Sequence, residues 1–215
     1  MTEENINKQA KLSPHLALPS EAALSHSSKL DGIHLSPHFT LGELTKTNVK
    51  GISNVPPHAA VLNLKNLCEN WLEDLRYSYN TLYCLKPGED YETSKNVEPI
   101  VINSGFRSEA VNKAIGGVKG SNHLTGCAVD IRCLGIEQAI RYACILLDMA
   151  DGTKRDLTSS RVCSRLAEPM QAPLCARSNA DFDELLIERS PKGTYWIHFA
   201  VRPSNNRRKV LFIRT

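Results

Sequence analysis

The sequence lacks three features that mark large classes of protein. It has no apolar run near the roughly 20 residues of a membrane-spanning helix, and its net charge is only +3. Nucleic-acid-binding domains usually have a larger, clustered basic excess, and the one cluster here, 206–209, is expected to be a solvated strand flank. Residues 1–15 are polar and carry Glu3 and Glu4, so no secretory signal is visible. We therefore expect neither a membrane protein nor a nucleic-acid-binding protein, and a cytoplasmic location as synthesised.

The seven cysteines also lack an informative pattern. Their number is odd, and they form no CxxC pair or tight cluster. A disulfide framework or a cysteine-based zinc finger is therefore not expected. Cys68 and Cys144 lie at helix-core spacing, which predicts two small apolar core side chains.

The composition is sufficient for one folded domain. The chain has 215 residues, of which 41% are hydrophobic. Residues 1–36 are rich in Ser, Pro, His and Lys without periodicity, and we expect them to form a flexible tail. Residues 37–215 are expected to form the domain. Within it, the polar stretch at about 151–180 is expected to be an insertion of undetermined role.

Hydrophobic periodicity predicts an α+β domain. Apolar residues between Leu64 and Leu75 recur at helical spacing after Pro57, and a second amphipathic helix is predicted over 136–147 with Ile136 and Ile140 facing inward. Gly193 separates two predicted strands and indicates an antiparallel hairpin. We therefore expect helices packed on one face of a small, mainly antiparallel sheet. The predicted strands are 99–104, 128–133, 182–188, 195–201 and, at an edge, 210–213.

Three residues beside predicted strands form a candidate metal set. Asp130 lies on the polar face of an otherwise apolar strand, where a carboxylate needs a partner or a metal. His198 occupies the same kind of position on another strand, and His123 precedes Asp130 by seven residues. Two imidazoles and a carboxylate leave the fourth position of a catalytic zinc open. Taken alone the pattern is weak, because seven histidines and 23 acidic residues produce such triplets by chance.

The residues around this set resemble a known family. The ordered series is Ser104-Gly105-Phe106-Arg107-Ser108, then Ser121-x-His123-x-x-Gly126-x-Ala128-x-Asp130, then Trp196-Ile197-His198. It resembles the zinc D-alanyl-D-alanine carboxypeptidases, whose fold is shared with the hedgehog signalling domain, and most of all their small single-domain bacterial and phage members. The resemblance covers about residues 38–150 and 181–212.

The resemblance implies a role for each matching position. His123, Asp130 and His198 match the ligands of one zinc ion per chain. Arg107 matches an arginine that contacts the substrate and steadies the developing oxyanion, as a permanently charged guanidinium is suited to do. Ser121 has three possible roles: it binds the substrate carboxylate, orients His123, or only caps the turn.

The catalytic base is less clear from the sequence. Several branches of the family place an acid three residues before the last histidine, where this chain has Tyr195. The small members instead have an acid at the end of the strand before the hairpin, which corresponds to Glu188. Glu184, Asp183 or the absence of any base are the alternatives.

The resemblance implies hydrolysis of peptidoglycan stem peptides, either by removal of the terminal D-alanine or by a cut within the peptide. We expect a monomer that acts as a phage or prophage lysis enzyme or recycles stem peptides in the cell. Two other hypotheses stay open. One is a hedgehog-like pseudo-enzyme that binds zinc or cell wall without cutting, and the other is a metal-free α+β binding domain.

Overall fold

The computed structural model of the chain describes residues 27–151 and 181–215. Residues 1–26 of the expected tail and 152–180 of the expected insertion lie outside the described residues. The described part is an α+β domain, as the sequence predicts, with helices covering one face of a five-stranded sheet.

The sheet has the strand order β3-β4-β6-β5-β7. β3, β4, β6 and β5 pair antiparallel, and the hairpin between β5 and β6 turns at Gly193, whose φ is 86°. β7 returns along β5 in parallel and forms the predicted edge strand. A separate two-stranded ribbon, β1 with β2, precedes the sheet in the chain. The strands are β1 His34–Ser36, β2 Phe39–Thr40, β3 Ile102–Ser104, β4 Ala128–Cys133, β5 Glu184–Arg189, β6 Tyr195–Ala200 and β7 Lys209–Arg214.

The long helix predicted after Pro57 is present, and it is longer than its apolar pattern indicates. Pro57 is its N-cap, and the helix continues to Cys84 through two π-helical turns. A shorter α-helix precedes it, and two follow it. The helices are α1 Leu41–Thr45, α2 His58–Leu67, α3 Glu73–Tyr79, α4 Glu109–Ala114 and α5 Ile136–Asp151, with π-helical turns at Cys68–Leu72 and Asn80–Cys84. None of the described helices is long and apolar enough to cross a membrane.

Alternation along the central strands gives the sheet two different faces. Val129, Ile131, Ile197 and Phe199 are fully buried in the core that the helices cover, and the ring of Phe199 lies 4.9 Å from that of Trp71. The intervening residues face away from this core. The open face therefore carries the polar side chains of β4, β5 and β6.

The packed domain begins before residue 37, so the predicted tail boundary is wrong over 27–36. Leu30 and Leu35 are 3% and 1% exposed and belong to the core. β1 pairs with β2, and Ser36 donates a hydrogen bond to Glu73 in α3. Two isolated leucines among polar residues give no periodic signal, which is why the pattern missed this segment.

Helix α5 is rotated relative to its predicted orientation. Ile136 and Ile140 are 39% and 49% exposed, whereas Tyr142 and Leu146 are buried. The ring of Tyr142 lies 4.7 Å from that of Tyr79, so an aromatic contact between helices replaces the expected isoleucine face. Cys144 is consequently exposed rather than in the core, although Cys68 is buried as predicted. The five cysteines in the described part of the chain are all free, and Cys163 and Cys175 lie outside it.

The basic cluster near the C-terminus is not a simple solvated flank. Arg207 forms ion pairs with Asp183 and Glu184, and Arg208 forms ion pairs with Asp151 and Asp181. These pairs attach the segment before β7 to the start of β5 and to the end of α5.

Candidate metal centre

Three separate elements bring His123, Asp130 and His198 together. His123 lies in a 3-10 turn, Asn122–Thr125, that Gly126 ends in a left-handed conformation with a φ of 71°. A Cβ at Gly126 would lie 2.4 Å from the carbonyl oxygen of Ala60, so glycine is required where the turn enters β4. Asp130 in β4 is directly opposite His198 in β6. The sheet register and this turn therefore bring the three side chains together at one point of the open face.

The three donor atoms form a nearly equilateral triangle. His123 Nε2 lies 3.2 Å from both His198 Nδ1 and Asp130 Oδ1, and His198 Nδ1 lies 3.0 Å from Asp130 Oδ1. A tetrahedral zinc ion with bonds of about 2.0 Å separates its ligand atoms by roughly 3.3 Å. The triangle is thus close to one face of a zinc tetrahedron, and these residues form a group able to hold a metal ion.

The remaining nitrogen of each imidazole has an acceptor within the protein. His123 Nδ1 lies 2.6 Å from the carbonyl oxygen of Gly105, and His198 Nε2 lies 3.4 Å from Glu184 Oε2. A proton on each of these outer nitrogens leaves the inner nitrogens as lone-pair donors. Metal-bound histidines in proteins have this arrangement, because the outer hydrogen bond fixes the tautomer and the ring orientation.

Arg107 lies beside the triangle. Its Nη2 donates to Asp130 Oδ2 and lies 3.1 Å from His123 Nε2, while its Nε donates to Ser104 Oγ at 2.8 Å. The backbone N–H of Arg107 donates to the carbonyl of His123. The side chain is therefore held next to the three candidate metal ligands at the edge of the cleft.

The electrostatics of the ligand set favour a charged carboxylate. Burial opposes the charged form of Asp130, but the charges and hydrogen bonds of His123 and His198 hold its pKa well below its usual range. Burial likewise opposes a charged His198, but hydrogen bonds to Asp130 and Glu184 raise its pKa to about 9. Both shifts follow from the close pairing of the Asp130 carboxylate with the imidazoles, which favours the charged form of Asp130.

The predicted catalytic base, Glu188, lies on the same open face. In β5, Leu186 is opposite His198 and Glu188 is opposite Trp196. Glu188 is therefore two residues along the strand from the position opposite His198, on the same face of the sheet. Burial raises the pKa of Glu188, and the negative charge of Asp130 raises it further. No hydrogen bond or ion pair reaches its carboxylate from the residues that the structure describes.

The two alternative acids have different surroundings. A hydrogen bond to His198 lowers the pKa of Glu184 to about 2, against the effect of burial. Asp183 is fully buried, and its carboxylate accepts hydrogen bonds from Arg207 and Asn122 and pairs with Arg202. Burial opposes its charge, but Arg207 and Asn122 lower its pKa nonetheless.

Ser121 caps the turn that carries His123. Its hydroxyl accepts a hydrogen bond from the backbone N–H of His123 at 3.3 Å. Ser121 also lines a cleft of about 690 Å³ that contains the triangle, Arg107 and Glu188.

Sequence reasoning missed two further residues of this site, Asn122 and Arg207, because neither belongs to a recognisable catalytic pattern.

A family model matches part of the chain. The family model described as Peptidase M15 matches residues 89–151, which is less than a third of the chain. This segment carries Arg107, His123 and Asp130, whereas His198 and Glu188 lie beyond it. A search of the curated proteins found no match to the chain. The match supports a zinc peptidase, and the fold is consistent with the α+β fold of that group.

Proposed function

We propose that this chain is a zinc-dependent peptidase that hydrolyses peptidoglycan stem peptides, as a D-alanyl-D-alanine carboxypeptidase or a related murein peptidase. The observation that carries the proposal is the triangle of His123 Nε2, Asp130 Oδ1 and His198 Nδ1, whose edges are 3.0–3.2 Å. The similarity of residues 89–151 to Peptidase M15 supports the same reaction class.

The three ligands suit a catalytic rather than a structural zinc site. Structural sites usually have four protein ligands, whereas catalytic sites have three and keep one position open. A zinc ion here would supply a Lewis acid that polarises the scissile carbonyl and makes water more acidic. The chain would contribute two neutral imidazoles and one carboxylate, and the ligands lie at the wall of an open cleft.

Glu188 is the residue that we assign as general base. A base must exchange a proton near neutral pH, and the raised pKa of Glu188 favours this. Glu184 is ion-paired and Asp183 is buried among arginines, so both are poorly suited to accept a proton. In the proposed reaction, Glu188 takes the proton of the attacking water and returns it to the leaving amine.

Arg107 is assigned to the substrate. The described residues engage its Nε and Nη2 and leave Nη1 without a hydrogen-bond partner. A guanidinium fixed beside the metal ligands suits the developing oxyanion of the scissile carbonyl or a terminal carboxylate. Ser121 would support the site by capping the turn of His123, and it is close enough to the cleft to contact substrate.

The proposal is tested by incubating the purified protein with muropeptides and weighing the products by mass spectrometry. We expect the mass loss of one D-alanine, or fragments from a cut within the stem peptide. A chelator should abolish cleavage, and added zinc should restore it. If the protein binds zinc but leaves every muropeptide intact, the peptidase assignment is wrong and a zinc-binding pseudo-enzyme replaces it.

A further inference from the structure

The carboxylate of Glu184 contacts both His198, a proposed metal ligand, and the basic residues Arg207 and Lys209 near the C-terminus. Its Oε2 lies 3.4 Å from His198 Nε2 and 3.2 Å from Asn122 Nδ2. Its Oε1 lies 2.9 Å from Arg207 Nη2 and 3.4 Å from Lys209 Nζ. Both oxygens are thus engaged, and the side chain is only 15% exposed.

Glu184 is held in place by a neighbouring ion pair, in which Asp183 is buried and Arg207 is half-exposed. The Arg207 guanidinium donates through Nε and Nη2 to the two oxygens of Asp183, at 2.8 and 2.6 Å, and the same Nη2 reaches Glu184. Asn122 donates to both acids, and it directly precedes His123. Bidentate arginine–carboxylate pairs are strong and geometrically specific. The position of the Glu184 carboxylate is therefore set by groups outside the metal triangle.

His198 has a carboxylate beside each of its ring nitrogens, Asp130 at Nδ1 and Glu184 at Nε2. His198 Nδ1 lies 3.0 Å from Asp130 Oδ1 and 3.2 Å from His123 Nε2. A neutral imidazole carries one proton, and carboxylates face both ring nitrogens, so a metal ion bound at Nδ1 would leave the proton on Nε2, where Glu184 can accept it. Nδ1 is then the unprotonated nitrogen, and its lone pair is directed into the triangle.

We propose that Glu184 is a positioning residue of the metal site, which fixes the tautomer and ring orientation of His198 by accepting a hydrogen bond from its Nε2. This inference rests on the proposed zinc site and assigns Glu184 a role other than that of the base. Outer-sphere partners of this kind typically contribute 10- to 100-fold to metal affinity.

The first test is zinc affinity, measured by competition with a chromophoric chelator on the full chain. Glu184→Ala should bind zinc about 10- to 100-fold more weakly than the wild type. Glu184→Gln retains an oxygen acceptor for Nε2 and should recover most of the affinity. Glu137→Gln is the control, because its side chain is 77% exposed on α5 and pairs only with Arg141 among the described contacts. Wild-type zinc affinity in folded Glu184→Ala would overturn the proposal.

The second test is nitrogen NMR of the histidine side chains in the zinc-loaded wild type, which needs no variant to fold. We expect His198 to carry its proton on Nε2 and to bind the metal through Nδ1. A proton on Nδ1, or metal bound through Nε2, would overturn the proposal. Neither test depends on peptide hydrolysis, so a wild type that binds zinc without cutting affects only the proposed function. A wild type that binds no zinc overturns both.

Discussion

Glu184 and Glu188 lie on the same strand and the same face of the sheet, yet their surroundings differ. Glu184 is paired with His198, Arg207 and Lys209, which keeps its pKa low. Glu188 is half-buried near the negative charge of Asp130, which keeps its pKa high. Two acids with pKa values shifted in opposite directions commonly have separate roles in one active site.

Replacing Glu188 by glutamine tests its assignment as the base. Glu188→Gln keeps the shape of the side chain and removes its basicity, so stem-peptide hydrolysis should fall by on the order of a hundred- to ten-thousand-fold. Zinc should stay bound at the wild-type ratio, because Glu188 is outside the triangle. Chromatography of the products measures the hydrolysis rate, and atomic emission measures the zinc content. Glu137→Gln is the matched control for both measurements. If the variant cuts at the wild-type rate, Glu188 is not the general base and another acid has that role.

The raised pKa of Glu188 also predicts the pH dependence of hydrolysis. The base acts only when deprotonated, so kcat/KM should fall as the pH falls through the pKa of Glu188. Because burial raises that pKa, the acidic limb should have its midpoint above the ordinary value of about 4.3 for glutamate. A pH–rate profile with saturating zinc measures the midpoint. An acidic limb that persists unchanged in the residual activity of Glu188→Gln would mean that another group titrates.

At the scale of elements, the site depends on strand register. Asp130, His198 and Leu186 form one row across β4, β6 and β5, so the alternation of each strand determines which residues meet. This alternation is visible in the sequence of β4, where Val129 and Ile131 alternate with Asp130 and Arg132, and in that of β6, where Ile197 and Phe199 alternate with Trp196 and His198. The meeting of Asp130 and His198 could therefore be predicted from their patterns and from the hypothesis that the strands are neighbours.

Other contacts of the site could not be predicted at this scale. Arg207 reaches Asp183 because β7 returns in parallel beside β5, and the basic cluster alone gives no indication of that path. The predicted orientation of α5 was wrong because the helix carries two apolar stripes. The contact of Tyr142 with Tyr79 determines which of the two stripes is buried. Local patterns predict which face of a strand is buried, whereas contacts between distant segments depend on the whole fold.

The ribbon of β1 and β2 gives a stability prediction that follows from the corrected domain boundary. Leu35 is 1% exposed in the core, so Leu35→Ala should lower the free energy of unfolding by about 2–5 kcal/mol. Denaturant titration followed by circular dichroism measures the change. Val210→Ala, at a residue 49% exposed on β7, should cost much less. Equal effects of the two substitutions would mean that residues 27–36 are a tail that does not contribute to folding.

At the scale of the whole molecule, the sheet separates folding from chemistry. Its covered face supplies the apolar core against the helices, and its open face carries Asp130, His198, Glu184 and Glu188, with His123 and Arg107 beside them. The match to Peptidase M15 includes Arg107, His123 and Asp130, while the β5–β6 hairpin beyond it supplies His198 and Glu188. The proposed site is therefore complete only when both segments assemble.

We propose that this assembly binds zinc, and the metal content of the purified protein measures that binding. Purified wild-type protein, dialysed against zinc and then against buffer, should retain close to one zinc ion per chain by atomic emission. His123→Ala and His198→Ala should each lose most of it, since each removes one of three ligands. Circular dichroism checks that both variants remain folded. A wild type without zinc, or full zinc retention in both variants, would show that His123 and His198 do not form a zinc site.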